Sequence, residues 1–370
     1  MGKRILLVSD TYLPVISGVT TVVSQLAKTL RERGHIVKVL VLDDPKLPND
    51  PNILAVPSFP GFFRSDVRFA YGFRGLSKKI KEFAPDVIHV HSPGNLGIWT
   101  RYWAQIHKVK LVTTVHGIPA FSASYIPFGL FLKPVIRYVG WKFWRWFLAT
   151  SEVVLAPSHY IIEELQNIGM ASKAIRAPFW IEPFSRKLPK KKSKTTTFLF
   201  FGRLDPDKNL PFLLESWSRV TSKDARLIIA GRVLDNQLQL LNELTKQLGC
   251  EKTVKILGTV TERKKASLFR NTDFFVMPST VEVQSIVTYQ AAISGIPVLV
   301  ANASALPEIV KNSTLPNLLF DPEDPDDLAT KIVDCVTHEK VYKQKYFLKK
   351  TFAKGFTKKE VLKTLEGKVY

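Results

Sequence analysis

Residues 277–301 read MPSTVEVQSIVTYQAAISGIPVLVA. The stretch is a strand end, a loop, a helix of about two turns, then Gly-x-Pro and a second apolar strand. Strand, helix and strand in that order make two parallel neighbours joined by a crossover. Outward from this unit the same alternation continues. FLFFGRL (198–204), ARLIIAG (225–231), VKILGTV (254–260) and DFFVMPS (273–279) precede it, each separated by a helical pattern. Nearer the N-terminus, ILLVSD (5–10) leads into the amphipathic TTVVSQLAKTLRER (20–33). IVKVLVLD (36–43), VIHVHS (87–92), KLVTTVHG (110–117) and VVLAPS (153–158) follow.

Repeated alternation over 370 residues exceeds one ordinary domain and suits two. Around residues 181–195 the texture turns polar, basic and proline-bearing (EPFSRKLPKKK), a linker composition. The reading is therefore α/β: two doubly wound domains at 1–180 and 196–340, a basic linker at 181–195, and a lysine-rich helical segment at 341–370. Parallel sheets of this kind bind ligands beyond the carboxyl ends of their strands, so loops leading from strand to helix carry the functional weight.

The net charge of +21 is unevenly spread: residues 1–200 carry +16, 201–340 carry −2 and 341–370 carry +7. Basicity so localised describes a surface that meets anions: nucleic acid, an anionic bilayer or phosphorylated substrates. Two segments of the first domain mix it with aromatics, residues 59–83 (with Arg64 and Arg68) and residues 125–147. At ~100° per residue, Leu132, Val135, Ile136, Val139, Phe143, Trp146 and Phe147 share one arc of a helix. Lys133, Arg137, Trp141, Trp144 and Arg145 share the other. Packing the first arc on the sheet leaves Trp141 and Trp144 outside among cations, a composition suited to a bilayer interface. The apolar run of the basic N-terminus stops at Ser9, so no signal peptide is expected, and no stretch approaches ~18 apolar residues. Cys250 and Cys335 have no metal spacing, and Asp43–Asp44 and Asp324–Asp327 read as loop acids.

Three loops bear chemistry. DTYLPVISGVTTVV (10–23) sets Gly18 between the first strand and first helix, where backbone can approach a phosphate. FGRLDPDKNL (201–210) projects Arg203 and Lys208 from the first strand of the second domain, two cations able to neutralise a leaving diphosphate without a metal. In 277–301, Glu282 can accept from sugar hydroxyls. The amides around Gln284, Ser285 and Ile286 open a helix toward phosphates, and Gln290 lies two turns on, placed for a ribose.

Together with RGHIVKVL, PDVIHVHSP, TTVHG, VLAPSHY, LIIAG and GIPVLVANASALPEIV, these phrases resemble, in order and spacing over nearly the whole chain, the retaining GT-B glycosyltransferases of family four. That resemblance implies two Rossmann-like domains with a donor cleft between them and a C-terminal helix crossing back to the first domain. It also implies a nucleotide-diphosphate sugar as donor, with no cofactor or metal. By the same resemblance Gly18 lies near the diphosphate, His116 of TVHG beside the transferred sugar, and Arg203 and Lys208 on the diphosphate. Glu282 is the first acid of the family's E-x7-E signature. The chain departs from the pattern at Gln290, where the second acid stands, at Ser17-Gly18 for Gly-Gly, and at Phe179-Trp180 for Asn-Gly.

The expected activity is hexose transfer to a lipid or lipid-linked acceptor by a cytoplasmic enzyme attached to the inner face of the cell membrane. A soluble acceptor is one alternative; a degenerate binding module, suggested by Gln290, is another. Nucleic-acid binding has only charge behind it, with no accompanying motif.

Overall fold

The structure, a computed structural model, describes residues 2–15, 17–61, 68–119, 132–184, 194–233 and 236–370. The chain divides into two compact units. One comprises the residues up to Pro119 together with Leu132–Phe179 and Leu362–Tyr370; the other contains Trp180–Val361.

The first unit holds a seven-stranded sheet. Its strands are β1 (Arg4–Ser9), β2 (Ile36–Leu42), β3 (Ile53–Val56), β6 (Val87–Val90), β7 (Lys110–Thr114), β8 (Val153–Ala156) and β9 (Ala174–Arg176), with β4 (Ser58–Pro60) and β5 (Arg68–Ala70) forming a separate hairpin. The order is β3-β2-β1-β6-β7-β8-β9, every pair parallel. Ile5, Leu6, Leu7 and Val8 of β1 are all buried, as expected for a central strand covered on both faces. The chain leaves β1 toward β2 on one side and reaches β6 on the other, so the switch point lies between β1 and β6. There Asp10 caps the helix Asn95–His107, accepting from the Leu96 amide at 2.9 Å while Ser92 Oγ donates to it at 2.6 Å. Burial raises the Asp10 carboxyl pKa against the pull of those hydrogen bonds. A Cβ on Gly94 would lie 2.5 Å from the Asp10 carboxyl carbon, so only glycine admits this cap.

The second unit repeats the plan with β10 (Thr196–Phe201), β11 (Ala225–Ala230), β12 (Val254–Gly258), β13 (Phe274–Met277), β14 (Val298–Ala301) and β15 (Leu319–Phe320), ordered β12-β11-β10-β13-β14-β15. Its switch point falls between β10 and β13. Phe198, Phe200, Phe269, Phe274 and Phe275 fill its core. Gly231, at φ 142°, passes so close to Gly202 that a Cβ would lie 1.7 Å from the Gly202 carbonyl oxygen, which locks the β11 and β10 exits together.

The tail divides differently from the expectation. Tyr342, Tyr346, Leu348 and Phe356 belong to the second unit's core, so residues 341–361 stay there and only Leu362–Tyr370 join the first unit. Lysine content marks a solvated face, whereas the aromatics interspersed among the lysines choose the core. In the first unit Arg33 holds Glu366 through two bonds of 2.8 Å. The linker also begins packed: Ile181 is in the second core, and Phe184 stacks on Phe269 at 4.0 Å. Residues 185–193 lie outside the described residues.

Candidate functional site

In the second unit, the loops after β10, β13 and β14 converge. The first runs through a single turn, Pro206–Lys208, and Asn209 in the left-handed region (φ 52°) before the helix Leu210–Ser218. Ser279, just past β13, donates to the Asp207 carbonyl at 3.0 Å. Ser304, past β14, accepts from the Glu282 amide at 2.9 Å. Glu282 is thus held from one side by its backbone, and its carboxylate reaches Lys208 Nζ at 2.8 Å.

Arg203, Lys208 and Glu282, singled out from the sequence, therefore do assemble. The two cations already have acids beside them, however. Lys208 also contacts Asp207 at 2.9 Å, and Arg203 is paired with Asp205 and Asp207. Asp205 and Asp207 went unremarked in the sequence, where acids in a Pro-rich turn look like ordinary turn residues. Burial pulls the Lys208 ammonium pKa down, but Glu282 and Asp207 outweigh it and hold it above the ordinary lysine value. Lys208 is thus a fixed cation at neutral pH.

The helix Ile286–Ile293 starts beyond Gln284 and Ser285, both buried. The Ser285 hydroxyl turns to Thr288 Oγ1 at 2.7 Å and does not cap a backbone amide. Gln290 donates from Nε2 to the Glu182 carbonyl at 3.1 Å. A carboxylate could not make that bond, which gives the amide its own reason to be there.

In the first unit, Gly18 opens the helix Gly18–Glu32 just past β1, with Ser17 capping the Thr20 amide at 3.1 Å. His116 follows β7. Its ring stacks on Phe179 at 4.8 Å, and its Nε2 lies 2.9 Å from Nδ1 of His91, which follows β6. Burial lowers the His116 pKa to about 3, so the ring is neutral. His91, His89 and Tyr370, which complete this cluster, were not singled out; only the repeated histidines of VIHVHS hinted at them.

The surface expected to carry Trp141 and Trp144 is corrected by the structure. Both are buried, at 8% and 6% exposure, together with Phe147 and Leu148 on the helix Lys133–Leu148. Gly140 explains the choice of face: a Cβ there would stand 2.4 Å from the Pro119 ring, so the helix closes onto Pro119 along 140, 141, 144, 147 and 148. Leu132, Val135, Val139, Phe143 and Trp146, expected inside, are exposed. Tyr102 and Ile106 of the neighbouring helix are exposed as well, with Tyr102 6.2 Å from Trp146. Of the expected cations, Arg145 is exposed and Arg137 is half exposed but pairs with Glu164 at 2.9 Å. Arg68 turns back onto Ser58, Asp43 and Asp44. Arg64 and the Lys133 side chain lie outside the described residues.

Two family models match the chain back to back, Glycosyltransferase Family 4 over residues 16–177 and Glycosyl transferases group 1 over residues 182–347. An alpha-monoglucosyldiacylglycerol synthase of Streptococcus pneumoniae is 26% identical over 355 residues, covering 90% of this chain and 78% of the relative. A phosphatidyl-myo-inositol mannosyltransferase of Mycobacterium tuberculosis is 26% identical over 363 residues, covering 93% and 90%. HepE of Anabaena, solved with UDP and glucose, superposes with a TM-score of 0.70 at 19% identity, covering 98% and 99%. That likeness shows the two-domain GT-B fold.

Proposed function

The chain belongs to glycosyltransferase family four, and from this premise we propose that it moves a hexose from a nucleotide-diphosphate sugar to a lipid or lipid-linked acceptor, with retention of configuration. The leaving diphosphate draws on Arg203 and Lys208, preorganised cations that need no metal beside them. The first-turn amides at Ser285 and Ile286 add the field of the helix N-terminus, and Gly18 gives its counterpart in the first unit close backbone approach. Glu282 accepts from sugar hydroxyls, neutral His116 donates to one, and the Gln290 side-chain oxygen accepts from the ribose.

The observation that carries the lipid acceptor is the outward stripe Leu132, Val135, Val139, Phe143 and Trp146, continued by Tyr102 and Ile106. Apolar side chains this exposed on one face, with Lys142 and Arg145 beside them, fit a helix lying in the interface of an anionic bilayer. Each cation near such a leaflet contributes about 1 kcal/mol. No helix among the described residues is long and apolar enough to cross a membrane. On our reading attachment is peripheral and on the cytoplasmic leaflet. The relatives named for glucosyldiacylglycerol and phosphatidyl-myo-inositol products support the same acceptor class.

The test is a panel of nucleotide sugars with anionic vesicles containing diacylglycerol or phosphatidylinositol, in chelator, following nucleotide release and glycolipid. The anomeric configuration of the product is read by proton NMR. Transfer to soluble sugars alone would replace the lipid acceptor by a soluble one.

A further inference from the structure

The ring of His91 sits inside a stack of aromatic and imidazole groups behind His116. Its Nδ1 is 2.9 Å from His116 Nε2, and one face lies on His89 with centroids 4.1 Å apart. His89 is itself held at both nitrogens, by Tyr370 Oη at 2.5 Å and Thr114 Oγ1 at 2.6 Å. A ring pinned on one face by an immobilised neighbour cannot turn, so the His91–His116 contact has one geometry.

Two neutral imidazoles share a single proton in that contact, and either could be the donor. The other nitrogen of His91 decides between them. His91 Nε2 is fully buried and has no hydrogen-bond partner among the described residues. A buried N–H without an acceptor is rarer and more costly than an unfilled lone pair. The bare nitrogen is therefore Nε2, and the His91 proton resides on Nδ1, from which it is donated to His116 Nε2. The His116 proton must then be on its Nδ1, which makes no hydrogen bond among the described residues.

We propose that His91 is a positioning residue that fixes the tautomer of His116, so that His116 presents Nδ1–H as a hydrogen-bond donor to the transferred sugar. The low pKa values support this assignment. Burial is the leading cause for both rings, and the neighbouring histidines also push His91 down, so neither is cationic near neutral pH. The inference rests on the reading of His116 as the residue facing the sugar; the tautomer itself does not.

The test separates the two. In 15N-histidine-labelled protein without donor, His116 Nδ1 should give the shift of a protonated ring nitrogen and Nε2 that of a bare one. His91→Phe should mix or invert the two shifts. His91→Asn, whose amide can donate from nearly the position of Nδ1, should keep them. In the transfer assay, His91→Phe should lower kcat by about tenfold or more, the scale of an unsupported functional imidazole, with donor KM little changed and melting temperature retained. His91→Asn should recover most of that loss. A protonated Nε2 on wild-type His116, or His91→Phe and His91→Asn with equal kcat, overturns the assignment. Correct shifts in a protein that transfers no sugar uphold the tautomer and overturn the function.

Discussion

Lys208 and Glu282 meet at 2.8 Å although 74 positions apart, because their loops leave β10 and β13, which pair across the switch point of the second sheet. The contact places a cation and an acceptor side by side where a parallel sheet offers its ligand site. Removing Lys208 strands Glu282, whereas removing Glu282 leaves Lys208 on Asp207.

Lys208→Ala should weaken binding of a nucleoside diphosphate at least tenfold by calorimetry. It should also destabilise the second unit by about 3 kcal/mol, since Glu282 loses its counter-charge and Asp207 keeps Arg203. Because the Lys208 pKa is raised, its charge and the stability of its pairs persist below the ordinary lysine value and fade only as pH rises through the raised one. Diphosphate affinity should therefore hold from pH 7 to pH 9. A tenfold fall across that range would remove Lys208 from the site.

His89 and His116 resist protonation until about pH 3, and His91 is also well below its ordinary value, whereas an unfolded chain takes up these protons near 6.5. Their contribution to stability is whole above about pH 6.5 and is lost as pH falls toward 3. Urea unfolding should show stability falling between pH 6.5 and 4.5 by up to about 1.4 kcal/mol per pH unit for each buried ring. His89→Gln should make that slope shallower; equal slopes would show that the rings titrate normally.

Gln290→Glu restores the acid of the family pattern but sets a carboxylate against the Glu182 carbonyl oxygen, in place of a 3.1 Å donor bond. Because that bond is exposed, we expect a loss of about 0.5–1.5 kcal/mol in stability and no gain in transfer rate. A variant both faster and equally stable would mean that the amide merely replaces the acid.

The two buried tryptophans of the helix Lys133–Leu148 should separate cleanly from the exposed one. Trp141→Ala or Trp144→Ala empties a packed site and should cost about 3–5 kcal/mol. Trp146→Ala combined with Val139→Asp should leave the melting temperature within a few degrees and abolish the part of vesicle binding that survives high salt. If the double variant binds vesicles as tightly as the native chain at high salt, the stripe is not the docking face.

By itself the sequence determined the α/β alternation, the two domains and the loops whose charged residues meet. Strands buried on both faces need continuous apolar runs, and the glycines and charged residues at strand ends stand out beside them, so these features are written locally. The tertiary structure alone decided which face of the helix Lys133–Leu148 is inside. Two apolar stripes of equal period exist there, and the close approach of Gly140 to Pro119 selects one of them. It also decided that Arg203 and Lys208 are already matched by Asp205, Asp207 and Glu282. The same holds for Tyr370 reaching His89, 281 positions away, behind the histidine of TVHG. Periodicity records that a residue prefers to be buried, but a partner brought by another strand or by the far end of the chain has no local signature.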